Sequence, residues 1–115
     1  MKPTIYHNPR CSKSRQTLEL LQSKGLELRV VEYLKTPPSA KELENILSLL
    51  YLKPQDIIRK GEEVYKNLEL AKKNLSDPEW INLLIQHPIL IERPIVVIEN
   101  KAVLGRPPEK VLEIL

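Results

Sequence analysis

The chain carries one cysteine, Cys11, inside the run His7-Asn8-Pro9-Arg10-Cys11-Ser12-Lys13-Ser14-Arg15. An isolated cysteine is often a small buried hydrophobe. Charged and polar neighbours on both sides make a core position a poor fit here. The run also lies where a strand is expected to give way to a helix, so Cys11 precedes the helix's unpaired first amides. Those amides, the cations Arg10, Lys13 and Arg15, and a protonated His7 across the turn are all expected to favour a thiolate and to draw an anion towards it. An ordinary free thiol is only about 3% ionised at neutral pH, so ionisation is the main lever on its reactivity.

The neighbourhood also excludes other chemistries. Cys11-Ser12-Lys13-Ser14 is a C-x-x-S motif, which lacks the second thiol of a dithiol oxidoreductase. Six residues after the cysteine, where a phosphatase-like loop would place arginine, stands Thr17. One cysteine with His7 and the distant His87 has no metal-ligand spacing, so no metal site is expected. Three arginines, Arg59, Arg93 and Arg106, sit where elements begin or end, and the latter two each precede a proline that biases the backbone towards extended geometry. Arginine's planar fork suits tetrahedral oxyanions better than the point charge of lysine. Spacing alone does not bring the three to Cys11; taken singly, each reads better as solvated surface charge.

The elements that must position these groups follow from periodicity and punctuation. Residues 4 to 6 read as a strand ending in His7-Asn8-Pro9, Ser12 to Lys24 as a helix with Leu18, Leu20 and Leu21 inward, and Gly25 as its stop. Leu26 to Leu34 reads as a second strand, making a βαβ unit. Ser39 with Glu42, and Ser76 with Glu79, are capping-box signatures that open helices running to about Leu50 and to His87-Pro88. Between them, Pro54 to Asn67 carries short helical pieces broken at Gly61. Ile95 to Ile98, a turn at Asn100-Lys101 and Ala102 to Leu104 read as an antiparallel hairpin. Glu109 to Leu115 closes the sequence as a short helix with Val111, Leu112 and Leu115 on one side. The order implies one α/β domain over residues 1–115, thioredoxin-like (glutaredoxin-like). Its mixed sheet is interrupted by an all-helical insertion, about 39–88, between the βαβ and ββα units.

Composition sets the outer limits. With 115 residues and 42% hydrophobic content the chain suits a single core, filled by Leu, Ile and Val because Phe is absent. A net charge of +3 is too small and too dispersed for a duplex-binding surface, so no nucleic acid partner is expected. No segment reaches signal-peptide or membrane-spanning length, and a free thiol persists most easily in a reducing compartment. The reading is therefore a cytoplasmic protein with no membrane partner.

The nine-residue run around Cys11 resembles the HNPxCxxSR signature of the glutaredoxin-coupled arsenate reductases, the ArsC family. Similar blocks follow in the same order: Tyr33-Leu34, Thr36-Pro37-Pro38-Ser39, Ile58-Arg59-Lys60, His87-Pro88-Ile89-Leu90-Ile91, Glu92-Arg93-Pro94-Ile95-Val96-Val97 and Gly105-Arg106-Pro107. The resemblance implies a thioredoxin-like fold and attack of Cys11 on arsenate. It implies an oxyanion site made by Arg59, Arg93 and Arg106, a histidine at His7 that keeps the thiol ionised, and Ser14 and Arg15 completing the loop. It further implies a cis peptide before Pro94, no bound cofactor, glutathione as co-substrate and glutaredoxin as partner. Two features differ: longer arsenate reductases continue past the block ending at Pro107 with a C-terminal tail, and Gly61 stands where they carry a polar residue. These point to a shorter, reductase-related branch. Two alternative readings go with the same residues. One is a binding protein of the related Spx type, which contacts RNA polymerase but typically uses C-x-x-C. The other is a monothiol, glutathione-dependent oxidoreductase without arsenate activity.

Overall fold

The computed structural model describes residues 2–115, which form two compact units: the first runs to Thr36 and resumes from Arg93 to Leu115, and the second is Pro37–Glu92.

In the first unit, strand β1 (Thr4–His7) is followed by helix α1 (Ser12–Ser23) and strand β2 (Arg29–Glu32), and the chain later returns as β3 (Ile95–Ile98) and β4 (Lys101–Leu104). The sheet order is β2-β1-β3-β4, with β1 parallel to β2 and antiparallel to β3, and β3 antiparallel to β4. This mixed sheet with helical cover is the thioredoxin-like arrangement expected from the element order. β2 is shorter than the strand read over Leu26 to Leu34. As an edge strand it pairs only with β1, Thr4 opposite Arg29 and His7 opposite Glu32, so it ends where Asn8-Pro9 ends its neighbour.

The core of this unit is built on Ile5, Leu21, Val96, Ile98 and Val111, with Leu18 and Leu20 packed against it. Leu21 lies on the inner face of α1, which stops at Lys24 and Gly25; Gly25 takes a φ of 72°, the left-handed conformation that glycine adopts without a Cβ clash. The hairpin turn lies at Glu99-Asn100, one residue earlier than expected, because Ile98 pairs with Lys101. The closing helix is a 3-10 helix over Pro108–Ile114. At three residues per turn it presents Pro108, Val111 and Ile114 inward. Leu112 and Leu115, expected beside Val111, are exposed.

In the second unit, α2 (Ala40–Leu50) and α4 (Asp77–Gln86) pack together, with Leu43, Ile46, Leu47, Trp80, Ile81 and Leu84 buried. Both capping boxes are formed. Ser39 Oγ accepts from Glu42 N–H while the Glu42 carboxylate accepts from Ser39 N–H, and Ser76 and Glu79 repeat the exchange. Short 3-10 and α segments, including α3 (Glu63–Asn67), fill the interval. The sequence reading of this stretch as all helix misses one feature: Ile58 and Ile91 form an antiparallel bridge, reinforced by Arg59 N–H to Leu90 C=O at 2.7 Å and Glu92 N–H to Ile57 C=O at 2.8 Å.

Candidate active site

Cys11 is the N-cap of α1, in extended geometry at φ −92° and ψ 123°. The tight approach to it is fixed by Asn8. The Asn8 side-chain oxygen accepts from Arg10 N–H at 3.0 Å, an Asx turn, and its carbonyl accepts from Cys11 N–H, also at 3.0 Å. No side-chain oxygen caps the helix. The free amides of the first turn are therefore left to the cysteine sulfur.

The half-buried thiol is held below its ordinary pKa. Burial is the largest single influence and works the other way, disfavouring the charged form. It is outweighed together by the Ser14 backbone N–H, the hydrogen bond and charge of the Arg93 guanidinium, and the Lys13 backbone N–H. The sulfur thus lies among donors that favour its charged form.

His7 and Ser14 are both buried and directly joined, Nδ1 to Oγ at 2.6 Å, and Ser14 Oγ also accepts from Asn8 N–H at 3.0 Å. Burial lowers the His7 pKa; the neighbouring Glu32 raises it less, and Arg15 lowers it. The protonated His7 expected to push on the thiol is therefore disfavoured. In the neutral ring an unprotonated Nδ1 accepts the Ser14 hydroxyl, which satisfies all three groups. His7 holds the loop through Ser14, whose amide reaches the sulfur. Arg15 Nη1 donates to the Pro9 carbonyl at 2.9 Å, closing the loop from the other side.

Arg93 is buried, and its carbonyl accepts from Arg106 Nη1 at 3.0 Å, so these two arginines are mechanically linked. Both are followed by cis prolines, Pro94 and Pro107; the second was not anticipated. Cys11, His7, Ser14, Arg15, Arg93 and Arg106 all belong to the first unit, whereas Arg59 belongs to the second. There Arg59 lies between two carboxylates, Glu92 at 2.7 Å from Nη1 and Glu62 at 3.2 Å from Nε. Its own burial would lower its pKa, and the two acids together raise it instead.

Sequence reasoning passed over Asn8, Glu62 and Glu92. Asn before Pro at the end of a strand is a turn signal that could have singled out the first. The carboxylates had no local signal, because Glu92 meets Arg59 across 33 positions. Among the described residues no group of three or more His, Cys, Asp or Glu could hold a metal ion, and no helix is long and apolar enough to cross a membrane.

Comparison with known proteins places these observations in a family. The profile described as "ArsC family" matches residues 6–114. The chain is 50% identical to the Escherichia coli K12 protein YfgD, over 96% of this chain and 94% of that one. It is 46% identical to an arsenate reductase of Haemophilus influenzae over the full length of both. Among solved structures, that of an arsenate reductase from Vibrio cholerae superposes with a TM-score of 0.95 at 49% identity, over 100% of this chain and 98% of that one.

Proposed function

In a chain that belongs to the ArsC family, we propose that the Cys11 thiolate is the nucleophile of an arsenate reductase. The observation that carries the proposal is the sulfur's surround: helix-start amides and the Arg93 guanidinium stabilise a thiolate and offer donors to a tetrahedral oxyanion in the same place.

The thiolate displaces hydroxide or water from arsenate, forming a sulfur–arsenic bond, with Arg93 and Arg106 neutralising the oxygens and Arg59 joining them as the family resemblance implies. A glutathione thiol then attacks the Cys11 sulfur. The new sulfur–sulfur bond forms as the sulfur–arsenic bond breaks, and its electron pair stays on arsenic. As(V) becomes As(III) and leaves as arsenite. The chain holds no second cysteine to resolve the product, so Cys11 remains in a mixed disulfide with glutathione. A second glutathione, delivered through glutaredoxin, restores the thiol; the sum is arsenate and two glutathiones to arsenite, glutathione disulfide and water. This chemistry requires no bound cofactor, and its dependence on reduced glutathione fits a cytoplasmic setting.

Arsenite release from arsenate, measured with glutathione and glutaredoxin present, tests the reading. Wild type should turn over and Cys11→Ser should not. Equal rates for the two proteins reject it. Removal of glutathione from a glutathionylated test substrate without arsenite release would favour the monothiol oxidoreductase instead.

A further inference from the structure

Thr17 stands on α1 six positions after Cys11 and is fully buried. Its Oγ1 donates to the Lys13 carbonyl at 2.8 Å and lies 3.5 Å from the carbonyl of Gly105. One hydroxyl hydrogen serves one acceptor well, and the shorter bond takes it. Such a bond to the carbonyl four residues back is common for threonine inside a helix. The approach to Gly105 is not.

Gly105 is pinned from its other side, since its N–H donates to the Pro94 carbonyl at 2.9 Å. No side chain fits there. A Cβ on residue 105 would lie 2.6 Å from Thr17 Oγ1, 2.8 Å from Pro94 Cγ and 3.1 Å from Thr17 Cγ2. Its φ is outside the left-handed region, so the glycine answers a need for space and not for an unusual backbone. Helix α1, the residue after Arg93 and the residue before Arg106 therefore touch at one point with no slack.

We propose that Thr17, Gly105 and Pro94 form a spacer that sets how closely the cysteine-bearing helix approaches the two arginine segments, which makes Thr17 a positioning residue for the Cys11 site. Three links transmit its setting. Pro94 follows Arg93, whose guanidinium hydrogen-bonds the Cys11 sulfur; Gly105 precedes Arg106; and Arg106 Nη1 holds the Arg93 carbonyl. Close-packed interiors relay a shift of tenths of an ångström instead of absorbing it. The inference rests on the reading of Cys11 as the nucleophile, but not on arsenate as its substrate.

With a single cysteine, the pH dependence of iodoacetamide alkylation reports on this thiol alone. It is to be measured on the purified full chain, with arsenite release recorded in parallel. Gly105→Ala forces a Cβ against Thr17 and Pro94. The alkylation midpoint should rise, and kcat/KM should fall about tenfold, as expected for a displacement well under 1 Å at a reacting centre. Thr17→Ala removes both threonine atoms that the new Cβ meets, so Thr17→Ala/Gly105→Ala should recover more than half of the midpoint shift. Folded Gly105→Ala with the wild-type midpoint, or a double variant no better than Gly105→Ala alone, overturns the proposal.

If Gly105→Ala does not fold, Thr17→Val and Thr17→Ser decide. The valine puts a methyl where Oγ1 meets the Gly105 carbonyl and should raise the midpoint, while the serine restores the hydroxyl and should return it to the wild-type value. Thr17→Val at the wild-type midpoint overturns the spacer. Should wild type release no arsenite, the arsenate reading fails while the alkylation midpoints still decide the spacer.

Discussion

Ser14→Ala tests whether the loop before α1 is held by a neutral His7. Ser14 is fully buried and is the joint between two other buried groups, His7 Nδ1 at 2.6 Å and the Asn8 N–H at 3.0 Å. Alanine fits the same space but leaves both without a partner. Each unsatisfied buried group costs about 1–3 kcal/mol, and some relaxation of the imidazole brings the expected total to about 2–4 kcal/mol. For a domain of this size that corresponds to a fall in Tm of roughly 8–16 °C. Urea unfolding at pH 8 measures it, with an unchanged m value showing that the unfolded state is not responsible. The pair itself is isolated by a cycle with His7→Ala, where a coupling of about 1 kcal/mol is expected.

A pH arm follows from the sign of the His7 shift. Its folded-state pKa lies below the unfolded value, so the unfolded chain binds the extra proton more readily. Stability is therefore full above about pH 6.5 and declines as pH falls through the unfolded pKa towards the folded one. Wild type should lose stability over that interval more steeply than His7→Ala. A cost for Ser14→Ala below about 0.5 kcal/mol, or parallel pH curves for wild type and His7→Ala, would refute the reasoning that the ring is a buried neutral acceptor.

Arg93→Gln removes a charged donor from the Cys11 sulfur. Such a bond is worth about 1.5–3 kcal/mol when buried, discounted to about 1 kcal/mol at a half-exposed thiol, so alkylation below the midpoint should slow about fivefold. Glu92→Gln removes the shorter of the two ion pairs of Arg59, each partner about one-quarter exposed, and should cost about 1 kcal/mol in urea unfolding, less in high salt. Leu21→Ala empties a fully buried position beside Ile5 and Val96 and should cost about 2–5 kcal/mol in the same assay without moving the alkylation midpoint.

The parts of this fold that were legible in the sequence are those encoded locally. Ser39 with Glu42 and Ser76 with Glu79 announce their helices because both halves of each capping box lie within one turn, and Gly25 announces a helix end because it supplies a left-handed residue. The features that escaped depend on distant partners. β2 ends early because β1 does, the bridge of Ile58 to Ile91 joins segments with helical composition, and the 3-10 period of Pro108–Ile114 exchanges Leu112 and Leu115 for Ile114 on the inner side. In the sequence Thr17 signals only the absence of an arginine. Its role depends on Gly105, 88 positions away.

The cysteine loop shows the same division at the scale of single charges. Read along the sequence, four cationic side chains crowd Cys11, and their summed field looks like the cause of its ionisation. In the structure the groups that favour the thiolate are two backbone amides and one arginine from a different segment, Arg93. Lys13 contributes through its amide, Arg15 is turned to the Pro9 carbonyl, and Arg10 is exposed. Long side chains in water are screened and mobile, whereas an amide at a helix start is aimed by the backbone and cannot swing away. Nearness in sequence thus overstates the solvated cations and understates the peptide dipoles. It follows that neutralising Arg10 should move the alkylation midpoint far less than neutralising the sequence-distant Arg93, and the two glutamine variants measured side by side decide between a field set by adjacency and one set by the fold.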